Sequence, residues 1–443
     1  MTDQKEPFPL IIVGLDCARS PGHLSLEQLN LLRAADVICA GKPLLREFFP
    51  YSSWDAQPGQ RPDAGLGDIA PHAQLFPLTF PLDSLLGRLE HLRRAGKRVV
   101  LLANGDPLLF GIGASVVRQL GPQAVHLVPA VSALQQACAR LALPWHKVRC
   151  LSLHGRDDLY PLYAASGKNL PLCILTDERM SPAVLARRLL ERGVDWFEAH
   201  IFERMGTEDE RQRHLSLVET AESAFGPACT VMLLPTALAR QPCLGLENTQ
   251  LLSEGGCISS QSVRAVALSL LRIAPQHVVW DIGSGSGAVA LEAAALAHEG
   301  RVIAIERSTE RVRNIEENRR RYGAALVDVY CGQAPECLSC LPQPDRVFIG
   351  GGLSRAGESL LGHACQCLPV GGRLVASCVL LESLCLCRSF FEMLAWPIEI
   401  IQIAAAEGKN LGKHVHLVGM NPVFLLAAQK PVAAKQSGLV GTT

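Results

Sequence analysis

The stretch Asp281-Ile282-Gly283-Ser284-Gly285-Ser286-Gly287 follows the β-branched run that begins at Val278 and links that strand to a helix. Its glycines let backbone approach a ligand where any Cβ would collide. Spacing alone leaves two readings. Gly283, Gly285 and Ala288 satisfy the GxGxxG/A pattern of dinucleotide sites, and Glu306, at the end of the next strand Val302 to Ile305, lies close to the distance at which an acid grips a ribose. Asp281 separates them. A carboxylate just before the turn repels a pyrophosphate but suits the ammonium and sulfonium charges of S-adenosylmethionine. Glu306 is then expected to accept both ribose hydroxyls.

Working outward, Val263, Val266, Ala267, Leu270 and Leu271 fall on one helical face before the turn. After it come strand candidates at Arg346 to Ile349, Arg373 to Cys378 and Ile398 to Ile403, then a pair at His414 to Val418 and Val423 to Ala427. This order predicts a Rossmann-like, doubly wound sheet of about seven strands that finishes in an antiparallel hairpin. Upstream, Pro235 to Cys257 holds Pro235, Pro242, Gly245, Asn248, Gly255 and Gly256 without sustained periodicity, as a linker does. The N-terminal half again alternates short apolar runs with helical patterns: Leu10 to Leu15, Asp36 to Ala40, Arg98 to Ala103, Val125 to Val128, Val148 to Leu153, Leu172 to Thr176, Ala199 to Glu203 and Thr230 to Leu234. The expected organisation is therefore α/β throughout: residues 1–240 as two α/β lobes split near Leu120 to Gln123, a linker at 241–257, a second domain at 258–430 and a disordered tail at 431–443.

Composition narrows the partners. The chain has 443 residues, 48% apolar and 19% charged, with zero formal net charge. No long-range field draws it to nucleic acid or an anionic membrane, so a small-molecule substrate is expected. The start lacks a cleavage-type signal and no stretch has the length of a membrane span, so the chain reads as cytoplasmic. Sixteen cysteines spread through a large α/β pattern read as reduced thiols. Cys337 and Cys340 form a CxxC, and Cys365/Cys367 and Cys385/Cys387 form CxC pairs. On helices, residues two apart point to different sides, so these are expected to be small buried hydrophobes and no metal is assigned.

The residues beyond the turn carry a resemblance. Ile258-Ser259 before a Val-Arg helix, the 281–287 turn, Ala304 to Arg307, Gly332-Gln333-Ala334-Pro335-Glu336, Phe348 to Gly352 and Gly371 to Val375, in that order, resemble the decarboxylating, carbon-15 methylating module of cobalamin biosynthesis, a class I methyltransferase. The resemblance implies cofactor contacts at Ser259, Gly283 to Gly287, Glu306, Gln333 and Ala334. Ser259-Ser260 stands where that family usually has Thr-Lys, and Gln333 where it has Asp; Ser259 keeps a hydroxyl, and the Gln333 amide oxygen can accept a hydrogen bond from the adenine amine.

In the first half, Gly105-Asp106-Pro107 follows a strand and, read by itself, is an ordinary turn. The longer string Ala103 to Gly113, with Pro129-Ala130-Val131-Ser132 and Leu151 to Arg156 after it, resembles the carbon-5 methylating module of the same pathway, a two-lobed tetrapyrrole methylase of the class III fold. That implies a cofactor against Gly105, Asp106, Pro107 and Ser132. The departure is the first loop, Gly14 to Gly22, where the family has a GxGPG-type turn.

Together the halves resemble the bifunctional decarboxylating precorrin methyltransferases of corrin synthesis. The resemblance implies two S-adenosylmethionine-dependent methylations of a precorrin, at carbons 5 and 15, with loss of carbon dioxide from the ring C acetate, by a protein expected to associate with copies of itself. The substrate's carboxylates call for cations, with candidates at Arg264, Arg355, Lys409, Lys413, His414 and His416. The Gly351 and Gly352 backbone is expected to approach the macrocycle. Arg319-Arg320-Arg321 reads as an exposed helix end. No catalytic side chain is assigned. Two other readings stay open: a class I methyltransferase acting on RNA or protein with an inert first half, against which the neutral charge and missing basic, aromatic stripe argue, and a non-catalytic tetrapyrrole-binding or channelling protein.

Overall fold

The computed structural model describes residues 7–16, 21–49, 70, 72–227, 229–254 and 258–432. They form two compact units: those within 1–156, 171–184 and 198–234 make one, and those within 157–170, 185–197 and 235–443 the other. The expected tail from residue 433 onward, and the first-loop residues 17–20, lie outside the described residues.

The first unit holds two five-stranded sheets. In the first, the strands run in the order Gln74–Pro77, Val37–Ala40, Val99–Asn104, Leu10–Leu15, Val125–Val128, all parallel. Sheets of this kind are covered on both faces, which is why Leu10 to Val13 is apolar without interruption. The side-chain period of two divides it between two cores. Val13, Leu15, Ile38, Ala40, Val100 and Leu102 pack on one side, and Leu10, Ile12, Val37, Cys39, Val99, Leu101 and Ala103 on the other. The break between lobes was expected near Leu120 to Gln123. It falls later, because Val125–Val128 pairs with Leu10 to Val13 and completes this first sheet. The second sheet runs Arg149–Ser152, Leu172–Leu175, Thr230–Pro235, Phe197–Glu203, Arg211–Ser216. Its edge strand Arg211–Ser216 and the first sheet's edge strand Gln74–Pro77 escape the sequence reading because both are short and largely polar or Pro-terminated.

The second unit is built on a seven-stranded sheet in the order Val327–Cys331, Arg301–Glu306, Val278–Ile282, Arg346–Ile349, Arg373–Cys378, Val423–Gln429, Ile398–Ile403. The first five are parallel and the last two antiparallel to their neighbours. The expected strand number holds but its membership changes. Val327–Cys331 joins the sheet, whereas His414–Gly419 leaves it to pair with Ala406–Leu411 in a separate two-stranded ribbon. Asp328 explains how residues 157–170 and 185–197 attach to this unit. It accepts hydrogen bonds from Arg192 Nη2 at 2.6 Å, Arg301 Nε at 2.6 Å and the Tyr160 hydroxyl. Two guanidiniums and a phenol offset the cost of burying its charge, and its carboxyl stays below the ordinary value despite that burial.

The 241–257 linker is held in place where it is described. Leu246 and Leu251 are buried, Leu246 N donates to Glu292 Oε1 at 3.0 Å, and Leu252 N donates to Asn318 Oδ1 at 3.0 Å. At the end of the helix Thr309–Tyr322, Arg320 and Arg321 are exposed, whereas Arg319 turns in to donate to Val327 O and Glu191 O, a partial departure from the expected solvated end. No helix among the described residues is long and apolar enough to cross a membrane.

Candidate functional site

The seven-stranded sheet reverses its winding direction at Val278–Ile282, whose neighbours are Arg301–Glu306 on one side and Arg346–Ile349 on the other. In doubly wound sheets the crevice at this switch point, outside the carboxyl ends of the strands, is where ligands sit. A cleft of about 850 Å³ opens there, lined by Asp281 to Ser286, Glu306, Gln333, Ala334 and Gly350 to Gly352 among others. The turn that begins it cannot be built from other residues. Gly283 has φ +72°, and a Cβ on it would lie 2.7 Å from Gly351 N. The two strand ends thus touch backbone to backbone, which leaves the cleft floor bare of side chains.

Two buried carboxylates shape this floor. Asp281 is 1% exposed, and its Oδ2 accepts from Ser284 Oγ at 2.6 Å and from Ala290 N at 3.1 Å. Burial pushes its pKa up to about 6, against these two bonds, with the Glu306 charge adding to the rise. A cation in the cleft favours its ionised form. Glu306 is 5% exposed and clamps the turn with both oxygens: Oε2 accepts from Gly285 N at 3.0 Å, and Oε1 from Arg307 N at 2.9 Å and Ser308 N at 3.0 Å. Oε2 therefore keeps one lone pair for a donor in the cleft, while Oε1 already has two N–H partners. Ser284, Gly285 and Ser286 all line the cleft; Gly287, with φ +81°, caps the helix Ala288–Leu296 behind them.

The rim divides the remaining expected residues. Ser259, Gln333, Ala334, Gly351, Gly352 and Arg355 all line the cleft. Arg264 does not, and its expected role in substrate binding is overturned. Its side chain is 0% exposed and pairs with Glu292 at 2.8 Å. It also donates to Asn248 Oδ1 and Ser259 O, both at 2.6 Å, and to Leu246 O. A guanidinium so engaged has nothing to offer a substrate; it positions the Ser259 segment. The periodicity held that signal, since Arg264 stands three residues before Ala267 and seven before Leu271, on the apolar face. Lys409, Lys413, His414 and His416 are exposed on the ribbon rather than in the cleft lining. The register pairs Lys409 with His416 and Leu411 with His414, so these three basic groups share one ribbon face, while Lys413 lies in the turn. The chain leaving the ribbon returns to the cleft at Met420 and Asn421. Sequence reading missed these two, with Ser354, Ser359 and Ser377, because none belongs to a motif.

In the first unit, Gly14 gathers the expected segments. A Cβ on it would lie 2.8 Å from Gly105 O, 2.9 Å from Ala130 Cβ and 2.9 Å from Pro107 Cδ. Gly105 N donates to Leu15 O at 2.6 Å, and Asp106 Oδ1 accepts from Leu108 N at 2.8 Å, closing its own turn. Ser132 is buried and caps the helix Ala133–Arg140 in a capping box with Gln135. Its hydroxyl is thus committed to the helix end. A cavity of about 240 Å³ lies beside these segments, lined by Leu15, Asp16, Gln28, Ala130 and Val131 among others, but not by Gly105, Asp106, Pro107 or Ser132.

Of the cysteines in the CxxC and CxC pairs, Cys365 and Cys387 are buried as expected and share one core with Cys378, whereas Cys340 and Cys385 are exposed and Cys337 and Cys367 half-buried, against that expectation.

Comparison with known proteins agrees with this geometry in both halves. Residues 9–221 match the family described as Tetrapyrrole (Corrin/Porphyrin) Methylases, and residues 250–430 match the one described as Precorrin methyltransferase domain. A precorrin-6Y C(5,15)-methyltransferase (decarboxylating) from Sinorhizobium sp is 32% identical over 295 residues, covering 66% of this chain and 70% of that protein. One from Mycobacterium tuberculosis (strain CDC 1551 / Oshkosh) is 32% identical over 305 residues, covering 68% of this chain and 75% of that protein. The crystal structure of precorrin-6Y C5,15-methyltransferase from Geobacter metallireducens GS-15 is 34% identical, with a TM-score of 0.41, and covers 42% of this chain and 98% of that one. With a tetrapyrrole methylase half, a switch-point cleft in the other half, and relatives that match across both, the chain belongs to the family of decarboxylating precorrin-6Y C(5,15)-methyltransferases.

Proposed function

We propose that the two activities of the family divide between the halves, with carbon-15 methylation and decarboxylation at the switch-point cleft and carbon-5 methylation at the Gly14–Gly105–Ala130 junction. The observation that carries this reading is the cleft floor: a side-chain-free backbone surface flanked by two buried carboxylates. As a member of its family the chain is an S-adenosylmethionine-dependent methyltransferase, and that donor supplies a methyl group already activated by its sulfonium charge. The residues present fit such a donor. Asp281 provides the negative potential beneath the cationic end, Glu306 Oε2 keeps a lone pair for a ribose hydroxyl, and Gln333 and Ala334 reach the cleft where an adenine would lie.

For a methylation of this kind the protein's task is positioning. The electron-rich ring carbon is the nucleophile, and holding it in line at roughly 3 Å within a closed cleft supplies most of the advantage. Gly350 to Gly352 admit the flat macrocycle because they present no side chain to it. Arg355 on the rim and the ribbon face of Lys409, His414 and His416 are proposed to take its carboxylates, as charge-assisted contacts do. The ring C acetate, moved from water to this less polar cleft, loses carbon dioxide, passes the electron pair of the broken bond into the conjugated ring, and the methylene left behind then takes a proton from water.

Incubating the chain with purified precorrin-6Y and labelled S-adenosylmethionine tests the reading. The expected product has gained two labelled methyl groups and lost one carbon dioxide. Unchanged precorrin, with label transferred to RNA or protein instead, would overturn it.

A further inference from the structure

The edge strand Arg211–Ser216 pairs antiparallel with Phe197–Glu203, with His200 directly opposite His214. Glu198 is two residues from His200, so all three side chains emerge on the same face of this strand pair. The His214 Nε2 lies 3.0 Å from Glu198 Oε2, and His200 Nε2 lies 3.6 Å from Glu198 Oε1. The two imidazoles stack with centroids 4.2 Å apart and planes within 5°. One donor atom from each of the three residues lies within 4.8 Å of the others, the only such group of ligand-type side chains among the described residues. Both ring nitrogens of His200 are buried, yet neither has a hydrogen-bond partner. Leaving two polar atoms in that state is costly unless something else satisfies them.

We propose that Glu198, His200 and His214 bind a divalent transition-metal cation of borderline softness, with zinc as its type. Two imidazoles and a carboxylate suit that ion, whereas calcium and magnesium favour all-oxygen sites and copper(I) favours sulfur. Binding takes neutral imidazoles and an ionised carboxylate, so the cation competes with protons for these groups and is held less tightly as pH falls. Tetrahedral zinc with bonds of about 2.0–2.1 Å draws its donors closer than the present spread, which rotation of the exposed His214 ring supplies. Three protein donors leave one position for water. The cation would fasten the edge strand to its neighbour, and this assignment is independent of the methyl-transfer sites.

The test uses the full chain after treatment with a chelator. Zinc titrated by calorimetry should bind at one equivalent, and zinc should raise the thermal midpoint. His214→Ala and Glu198→Gln should each weaken the binding by at least about tenfold and abolish the thermal shift, as loss of a ligand requires. His214 has a side chain 57% exposed, so its replacement leaves the fold intact, which circular dichroism checks. Cobalt(II) in place of zinc should give d–d bands without sulfur charge transfer. No binding, binding unchanged in His214→Ala, or a sulfur-bearing cobalt spectrum overturns the proposal.

Discussion

The two strand-exit turns use carboxylates in opposite ways. At 281–287 the acids are buried, 1% exposed at Asp281 and 5% at Glu306, and they hold the turn that forms the cleft floor, Asp281 through the Ser284 hydroxyl and Glu306 through Gly285 N. At 104–113 the acid, Asp106, is half-buried and closes only its own turn through Leu108 N, while approach of backbone at Gly14 assembles the rest. The first turn stores electrostatic energy beneath its site; the second stores steric fit. They should therefore respond differently to the same kinds of perturbation.

The largest expected effect is on the support behind the first turn. Arg264→Ala strands Glu292 in a fully buried position, where removing one partner of a buried pair costs about 3–5 kcal/mol. Urea unfolding should show the loss in the second unit. A change within about 0.5 kcal/mol would mean that the pair does not hold the Ser259 segment.

Next comes Asp281. Its folded pKa of about 6 lies above the ordinary 3.8, so the folded state binds this proton more tightly than the unfolded chain. The stability it contributes is present at low pH and lost as pH rises from about 4 through 6, a swing of about 3 kcal/mol. Asp281→Asn should remove that swing and make the chain more stable than the parent at pH 8, while weakening donor binding at the cleft. Donor affinity in the parent should rise as pH increases through 6. Thermal melts at pH 5 and 8, with calorimetric titration alongside, read both; a variant less stable at pH 8 contradicts the electrostatic account.

On the steric side the effects are smaller. Gly14→Ala drives a Cβ against Gly105 O and Ala130 and should cost about 1–3 kcal/mol by overpacking, without any pH signature. Asp106→Ala loses one exposed hydrogen bond, worth at most about 1 kcal/mol. A pH-dependent loss in Gly14→Ala would erase the contrast between the turns.

How much of this the sequence disclosed follows the same contrast. Asp281, the glycines and Glu306 could be placed because their chemistry depends on short spacing along one strand–turn–helix unit and the strand after it. Val327–Cys331 went unseen because its Asp328 interrupts the apolar run, and two of the groups that let that acid be buried, Arg192 and Tyr160, stand more than a hundred residues away. Arg264 was misjudged although its place on an apolar helix face, and the acid Glu292 inside the otherwise apolar helix Ala288–Leu296, both signalled a buried pair. The His200–His214 pairing could not be read at all while the edge strand Arg211–Ser216 was missing, since cross-strand neighbours appear only once the register is known.

Two separately acting sites, one at each turn, should give different products when each is damaged alone. Glu306→Ala removes the proposed acceptor of a ribose hydroxyl and the clamp on Gly285, so donor affinity at the cleft should fall at least about tenfold. With precorrin-6Y and labelled donor, fragmentation mass spectrometry should find product lacking the carbon-15 methyl from Glu306→Ala, and decarboxylated product lacking the carbon-5 methyl from Asp106→Ala. If both folded variants lose both methyl groups equally, one shared site or an obligatory handover replaces two independent ones.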